Sequence, residues 1–397
     1  MASGTVEAST STGSGASVYR SPQRLGYVDS LRALAALYVV VCHCALEIWP
    51  TTNFPNGFLG IMLTYLSFGH LAVSVFIVLS GFSLMLPVAR NGYHLPWGIW
   101  GFYVRRAHRI LPPYYLAMGL SLLLIWLFIG HKTGTHWDVS LPVTGRSIIQ
   151  HLLLVQDLSP TDYATINHVF WSIAMECQIY LLFPLLILLW WRYPPLFSGL
   201  ITIGVSLALV IGLTYTWVGR LPGYTGYSFV PQYIGLFGMG MFAASIYTKQ
   251  TPRWTRWRDR YLWEGVTIVG AAAVLWRFTS GQVLIPDLLV GVTTVGVLLA
   301  AARPGRINPI RATLEWRPLV WVGGIAYSIY LIHAPLIQLL WQYGLRPLGL
   351  SAVHTYLALL LVGVPLIVAA SWLFWWWGER PFLNPPSTSI ARMSNKN

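Results

Sequence analysis

The sequence predicts an all-α protein that crosses a membrane about ten times. Of its 397 residues, 55% are hydrophobic and only 9% are charged, whereas about a quarter of the residues in a soluble domain are charged. Apolar runs of spanning length recur along the chain, at residues 31–49, 61–87, 111–130, 170–191, 196–217, 230–247, 262–279, 283–302, 319–341 and 353–377. These observations indicate a polytopic, multi-pass membrane protein, which we expect in the plasma (inner) membrane.

The distribution of basic residues predicts how the chain is oriented. With the N-terminus inside, the outer loops hold only Lys132, Arg146, Arg220 and Arg346. The inner segments hold the other basic residues that lie between spans or at the ends, among them Arg20, Arg24, Arg90, Arg105, Arg106, Arg109, Arg192, the 249–260 and 303–317 clusters, Arg380, Arg392 and Lys396. Cytoplasmic loops are enriched in Lys and Arg, so we expect both termini to be cytoplasmic. This bias explains the net charge of +13 better than nucleic-acid binding does.

The two ends of the chain differ in composition from its apolar body. Residues 1–24 are predicted to be a disordered cytoplasmic tail, because they begin with a stretch rich in Ser, Thr, Gly and Ala that lacks an apolar core. Residues 383–397 are predicted to be a short cytoplasmic tail, which leaves residues 25–382 as the transmembrane domain. The three cysteines form no CxxC pair, so the sequence indicates no disulfide framework.

The first span carries three ionisable side chains. Arg32 lies near its start, His43 follows eleven residues later, and Glu47 lies one turn further on. Eleven residues return an α-helix to nearly the same face, so Arg32 and His43 should share a face, roughly 16 Å apart along the axis. Such groups are costly in lipid, so this face should line a polar cavity or contact protein. The alternative is that Arg32 anchors the helix at the membrane surface and His43 is an interhelical hydrogen-bonding group.

The second span and the loop after it contain small residues and then arginines. Gly81 and the serines around it should let another helix approach closely, and we expect Ser80 to pack there rather than act as a nucleophile. Arg106 and Arg109 lie three residues apart, and Arg105 lies four before Arg109, so they are neighbours on a helix. Adjacent like charges indicate an anion, and guanidinium groups suit phosphate. The alternative is an anchor that contacts lipid phosphates.

The longest outer loop, residues 131–169, contains four histidines and three aspartates, but no metal-ligand spacing. We expect this loop to be a lid or a sugar-facing surface. The inner loop 248–260 alternates Trp with Arg and should lie on anionic lipid rather than on nucleic acid.

Two later spans carry further candidate groups. Glu176 lies about two turns below the predicted outer surface, where a carboxylate is a functional candidate unless it belongs to a structural ion pair. Tyr327, Tyr330 and His333 recur at intervals of three and therefore share a helix face. His333 and His43 are predicted to lie at similar depths. The two histidines and Glu176 therefore form a possible acid–base group.

Several segments, in this order, resemble the acyltransferase-3 family of integral-membrane acyltransferases. They are Asp29-x-Leu31-Arg32-Ala33 with His43 eleven residues after Arg32, FIVLSGF, Arg106-x-x-Arg109, WSIAMECQIYLLFPL, AYSIYLIHAPL and the ERP of residues 379–381. The resemblance covers roughly residues 25–382. It implies transfer of an acyl group, often acetyl, from acyl-CoA to a hydroxyl of a carbohydrate, a glycolipid or another small acceptor, as in polysaccharide modification. It also implies that His43 is essential and that the arginines bind the donor.

The residues and the resemblance together predict one site. Arg106 and Arg109 would hold the phosphates of coenzyme A, with Arg32 further along the path, Asp29 and Arg105 in support, and the thioester at His43. His43 would be the general base, with its tautomer fixed by Glu47 or Glu176, and His333 and Tyr330 would complete the site. A covalent acyl-histidine is the variant mechanism. No metal is required.

A different class of function is also compatible with these residues. Polytopic proteins with buried His, Glu and Arg side chains often move protons or solutes, so a transporter or a lipid flippase is the alternative. The sequence shows no inverted repeat to favour it.

Overall fold

The computed structural model describes residues 25–215, 230–249, 255–256, 259, 261–277, 284–303 and 308–383. These residues form α-helices joined by turns and short 3₁₀ or π-helical segments, with no β-strand among them, which confirms the all-α prediction. The helices are α1 Gly26–Ile48, α2 Phe58–Leu66, α3 His70–Arg90, α4 Gly98–Leu124, α5 Gly145–Leu153, α6 Trp171–Arg192, α7 Pro195–Tyr215, α8 Gln232–Thr248, α9 Leu262–Arg277, α10 Leu284–Ala302, α11 Pro309–Leu314, α12 Arg317–Gly324, α13 Ala326–Leu339, α14 Ala352–Ala358 and α15 Val364–Phe374.

Many of these helices are long and apolar enough to cross a membrane. Within the described residues, seven helical segments qualify, and an eighth does if the bent pair α12 and α13 counts as one span. Helices α8 and α9 coincide with two further predicted runs but contain only 17 and 16 residues. The protein is therefore multi-pass, and the count of ten spans and the cytoplasmic termini stay predictions. The predicted tails, apart from Leu383, and most of the 248–260 loop lie outside the described residues.

Helices α3 and α8 pack with their backbones in close contact. A Cβ atom added to Gly81 would lie 2.1 Å from the carbonyl oxygen of Phe237, and one added to Gly240 would lie 2.0 Å from that of Val78. Only glycine therefore fits at either position. The prediction that Gly81 permits a close helix approach is confirmed, and α3 is held at a fixed distance from its neighbour.

Helix α1 lies against α3, α12 and α13. Gly323, near the end of α12, has no room for a Cβ atom because the carbonyl oxygen of Asp29 would be 1.9 Å away. The chain then turns by 72° between α12 and the segment that begins with α13. This bend directs α13 along α1 and brings His333 to the level of His43.

The loop between α4 and α6 folds back onto the bundle. Its 3₁₀ turn His136–Ser140 contacts α1, and the side chain of Trp137 is fully buried, with Nε1 donating to the carbonyl of Ile129 at 3.0 Å. The carboxylate of Asp138 accepts hydrogen bonds from the backbone N–H groups of Thr133 and Gly134, each at 2.9 Å. Thr135 donates to Gln338 of α13 at 2.8 Å. The loop is therefore a packed cover over the ends of α1 and α13.

Candidate active site

His43 and His333 are in direct contact between α1 and α13. Nδ1 of His43 lies 2.8 Å from Nε2 of His333, and the two rings are nearly parallel. His333 is fully buried. Two histidines that are 290 positions apart in the sequence thus form one hydrogen-bonded pair at the end of α1 that is predicted to be the outer end.

The backbone of α13 determines which nitrogen of each ring carries a proton. Nδ1 of His333 lies 3.0 Å from the carbonyl oxygen of Ile329 and 2.9 Å from that of Tyr330. Carbonyl oxygens only accept hydrogen bonds, so this Nδ1 must carry a proton. In the neutral ring Nε2 is then an acceptor, and Nδ1 of His43 must be the donor. The lone pair of His43 is consequently on Nε2, where it is available to an incoming hydroxyl group.

Two histidines of the covering loop lie next to this pair. The ring centroid of His168 is 4.8 Å from that of His43, and the centroid of His136 is 5.7 Å away. Burial lowers the pKa of His136 to about 4. Burial, followed by the nearby His136 and His333, lowers the pKa of His168 well below its usual range. Both loop imidazoles are therefore neutral near pH 7.

Glu176 binds two hydroxyl groups rather than a histidine. Its Oε1 accepts a hydrogen bond from Ser80 at 2.8 Å and another from Tyr180, and Ser80 and Tyr180 also contact each other. The half-buried carboxylate of Glu176 therefore has hydrogen-bond donors of its own. Sequence reasoning assigned Ser80 to packing alone and did not find this contact.

A polar column connects this carboxylate to the histidine pair. Tyr330 lies one turn from His333 on α13, and its hydroxyl is 2.6 Å from the hydroxyl of Ser172. Ser172 lies one turn from Glu176 on α6, so these groups follow one another along facing helices. The structure thus places Tyr330 between the histidines and Glu176.

The column continues to Arg32 at the other end of α1. Arg32 pairs with the carboxylate of Asp29 at 3.0 Å and donates to the hydroxyl of Ser83 at 2.6 Å. Ser83 is one turn from Ser80 on α3. Hydrogen-bonding groups, some neutral and some charged, therefore lie along the face of α1 that carries Arg32 and His43. This face extends over roughly 16 Å of helix between the two residues.

Arg109 interacts electrostatically with Arg32 and with Arg106, so the three guanidinium groups belong to one region. Within the described part of the chain, neither Arg106 nor Arg109 forms an ion pair, and Nε of Arg106 is buried without a hydrogen-bond partner. Arg105 has a different contact: its guanidinium stacks 3.6 Å from the ring of Trp97. Arg32, Arg106 and Arg109, hereafter the arginine cluster, therefore carry an excess of positive charge at the predicted cytoplasmic end.

Glu47 contacts the covering loop instead of His43. Its carboxylate lies beside the side chain of Thr135 and the backbone of Trp137. Oε1 is buried without a hydrogen-bond partner among the described residues. Glu47 also borders a cavity of about 300 Å³ that includes Trp341, Arg346 and several threonines. Neither Glu47 nor Glu176 orients His43 in this arrangement; His333 occupies that position.

Comparison with known proteins identifies the family. The acyltransferase-3 family model, described as an acyltransferase domain, matches residues 25–376. Acyltransferase MdmB of Streptomyces mycarofaciens is 24% identical over 82% of this chain and 81% of its own length. Peptidoglycan O-acetyltransferase OatA of Listeria monocytogenes is 23% identical over 79% of this chain, which matches only 49% of that relative's length. No solved structure matches. The chain therefore belongs to the acyltransferase-3 family and is a multi-pass membrane acyltransferase.

Proposed function

We propose that this protein transfers an acyl group, in particular acetyl, from acyl-CoA to a hydroxyl of a carbohydrate or another small acceptor at the plasma (inner) membrane. The observation that carries this proposal is the free Nε2 of His43, which the hydrogen bond from Nδ1 to His333 leaves unprotonated. A base held in this way can take the proton of an alcohol.

The donor would bind with its phosphates against the arginine cluster. Coenzyme A carries several phosphate groups at one end and its thioester at the end of a long flexible arm. Arg106 and Arg109 form no ion pair with any described residue, and Nε of Arg106 is buried without a hydrogen-bond partner there. Phosphate oxygens would supply acceptors for both guanidinium groups. Asp29 would keep Arg32 oriented toward the same anion.

The arm would follow the polar column to His43. The distance from Arg32 to His43, roughly 16 Å along α1, is one that the arm of the donor can cross. Ser80, Glu176 and Tyr180 lie along this route and offer hydrogen bonds to its amide groups. We therefore propose that Glu176 positions the arm of the acyl-CoA donor and takes no part in the proton transfer itself.

The reaction at His43 would then proceed by direct transfer. Nε2 of His43 takes the proton from the hydroxyl group of the acceptor molecule, while the oxygen of that hydroxyl attacks the carbonyl carbon of the thioester. The carbon–sulfur bond breaks, and the imidazolium returns the proton to the departing thiolate, which leaves as free coenzyme A. The hydrogen bond from Nδ1 of His43 to His333 is kept throughout and stabilises the charged ring.

The acceptor would arrive from the opposite end. The cavity beside Glu47 contains an aromatic ring, an arginine, a carboxylate and three threonine hydroxyl groups, a combination that suits a sugar. OatA, which is named as a peptidoglycan O-acetyltransferase, supports a carbohydrate as the acceptor class.

The test is an acetyl-transfer assay with the purified protein in detergent. Acetyl-CoA labelled in the acetyl group is supplied with a panel of amino-sugar oligomers and small alcohols, and both coenzyme A release and label on the acceptor are measured. We expect His43→Ala to lower the rate by about 10²–10⁴-fold. His94→Ala, which changes an exposed histidine, serves as the control and should behave like the wild type. Near-normal turnover by His43→Ala in folded protein would remove His43 from the mechanism.

A further inference from the structure

Three histidines from different parts of the chain converge at the outer end of α1. His43 comes from α1, His136 from the 3₁₀ turn of the covering loop, and His168 from the segment that leads into α6. One ring nitrogen of each lies within 4.8 Å of the others. The ring centroids of His136 and His168 are 4.6 Å apart. We call these three residues the histidine triad.

Among the described residues, His43 and His168 each use one ring nitrogen in a hydrogen bond and leave the other without a protein partner. Nδ1 of His43 is bound to His333, so only Nε2 is free. Nδ1 of His168 is 3.1 Å from the hydroxyl of Ser140. Nε2 of His168 is buried and has no hydrogen-bond partner in the part of the chain that the structure describes. A buried nitrogen without a partner is costly, and a ligand between the three rings would remove that cost.

We propose that His43, His136 and His168 bind a divalent transition-metal ion of the zinc type. Three imidazoles with a fourth position open to water form a common zinc site, and metal-bound histidines usually donate their other N–H to an outer partner. His333 and Ser140 are those partners here. Zinc–nitrogen distances of about 2.0–2.1 Å place tetrahedral ligand atoms about 3.3 Å apart. The three ligand nitrogens lie within 4.8 Å of one another, so each pair would have to approach by about 1.5 Å at most.

This ion would inhibit the proposed transfer rather than assist it. The lone pair of Nε2 of His43 cannot bind a metal and accept a proton at the same time. An occupied triad would therefore remove the general base, and a chelator would restore it. Metal binding follows from the geometry of the triad alone, whereas inhibition rests on the proposed function of His43.

Binding is tested with Co²⁺ as a visible probe and Zn²⁺ as its competitor, using the full-length protein in detergent. The wild type should develop the visible absorption of tetrahedral Co²⁺ with one ion per chain, and Zn²⁺ should abolish it. His136→Ala should bind Co²⁺ at least about tenfold more weakly. His131→Ala changes an exposed histidine of the same loop and should bind like the wild type. Absence of tetrahedral Co²⁺, or equal binding by all three proteins, would overturn the metal site.

Inhibition is measured on the same proteins as the acetyl-transfer rate with Zn²⁺ relative to the rate with chelator. We expect a loss of about tenfold or more in the wild type and in His131→Ala, and much less in His136→Ala. If Co²⁺ binds and transfer occurs but Zn²⁺ does not slow it, the inhibitory role is wrong. If Co²⁺ binds and no transfer is found with chelator, the metal site stands and the proposed function fails.

Discussion

His43 is oriented by another histidine, whose Nε2 lies 2.8 Å from Nδ1 of His43. A carboxylate is the usual orienting group for a histidine, and Glu47 is one turn away in the sequence. In the fold, Glu47 turns to Thr135 and the Trp137 backbone, while His333 reaches His43 from α13. The shared depth of the two histidines was predictable from their positions in their spans. Their contact required the bend before α13, which no sequence pattern indicates.

His333→Ala should lower kcat by about 10²-fold and leave both KM values nearly unchanged. The variant keeps the base but removes the hydrogen bond that fixes which nitrogen of His43 carries the proton. His333→Gln should retain more activity, since its side-chain oxygen can accept the hydrogen bond from Nδ1 of His43. Steady-state kinetics of both variants, with folding checked by size-exclusion chromatography, measure this. Equal loss in the two variants would mean that His333 contributes by packing alone.

Arg106→Ala should raise KM for acyl-CoA by about tenfold or more and leave KM for the acceptor unchanged. A hydrogen bond to a charged group contributes about 1.5–3 kcal/mol, and tenfold corresponds to about 1.4 kcal/mol. Arg106→Lys should recover only part of the loss because the planar fork is missing. Arg192→Ala, at another predicted inner turn, is the control. A rise confined to the acceptor KM would contradict the donor site.

Among the helices, α3 and α8 approach each other closely at Gly81 and Gly240. This contact holds Ser80 and Ser83 of α3 in the polar column. Gly81→Ala and Gly240→Ala should each destabilise the protein by about 1–3 kcal/mol or more, because the new methyl group would overlap a backbone carbonyl. Gly119→Ala in α4 is the matched control, since its Cβ would meet nothing within 4 Å. The apparent Tm of each of these three variants is measured in detergent and compared with that of the wild type. An unchanged Tm in Gly81→Ala would show that α3 and α8 can separate at little cost.

Asp157, in the covering loop, gives the stability a dependence on pH. Burial raises its pKa to about 7, against the opposing hydrogen bond from Gln178 at 2.8 Å. Between about pH 4 and pH 7 the unfolded chain releases this proton and the folded chain retains it, so stability falls as pH rises and stays low above pH 7.

Asp157→Asn removes this titration and should therefore raise the apparent Tm near pH 8 but not near pH 4. The gain corresponds to at most about 4 kcal/mol. Asp162→Asn breaks the ion pair with Arg146 at 2.9 Å and should lower the Tm near neutral pH. A gain for Asp157→Asn that is the same at both pH values would show that Asp157 is not protonated in the folded state.

The covering loop also shows what the sequence could not predict about the site. Its histidines are scattered over 38 positions, from His131 to His168, and their spacing resembles no metal motif. His136 and His168 meet because Trp137 is buried under Ile129 and Ser140 contacts the His168 backbone. Such contacts depend on how a loop packs, not on a periodic pattern. The helical runs, by contrast, follow from the need of each segment to satisfy its own backbone in lipid.

At the scale of the whole molecule, the donor and acceptor ends of the site are predicted to face opposite sides of the membrane. The arginine cluster lies at the end predicted to be cytoplasmic and the covering loop at the other. In a background that lacks the native cysteines, Lys132→Cys should react with a membrane-impermeant maleimide on intact cells. Tyr193→Cys, on the turn between α6 and α7, should react only after permeabilisation. The opposite pattern would invert the topology, and with it the route of the donor.

The backbone carbonyls that accept hydrogen bonds from His333 limit how far a proton can move through the histidine pair. By way of His333, a proton captured by His43 can move no further, because the far nitrogen of the His333 ring faces the carbonyls of Ile329 and Tyr330, which cannot be protonated in turn. The pair is therefore a dead end for protons within the described part of the chain. If the proposed donor path crosses most of the bilayer, this arrangement would keep the histidine pair from turning the same path into a route for protons.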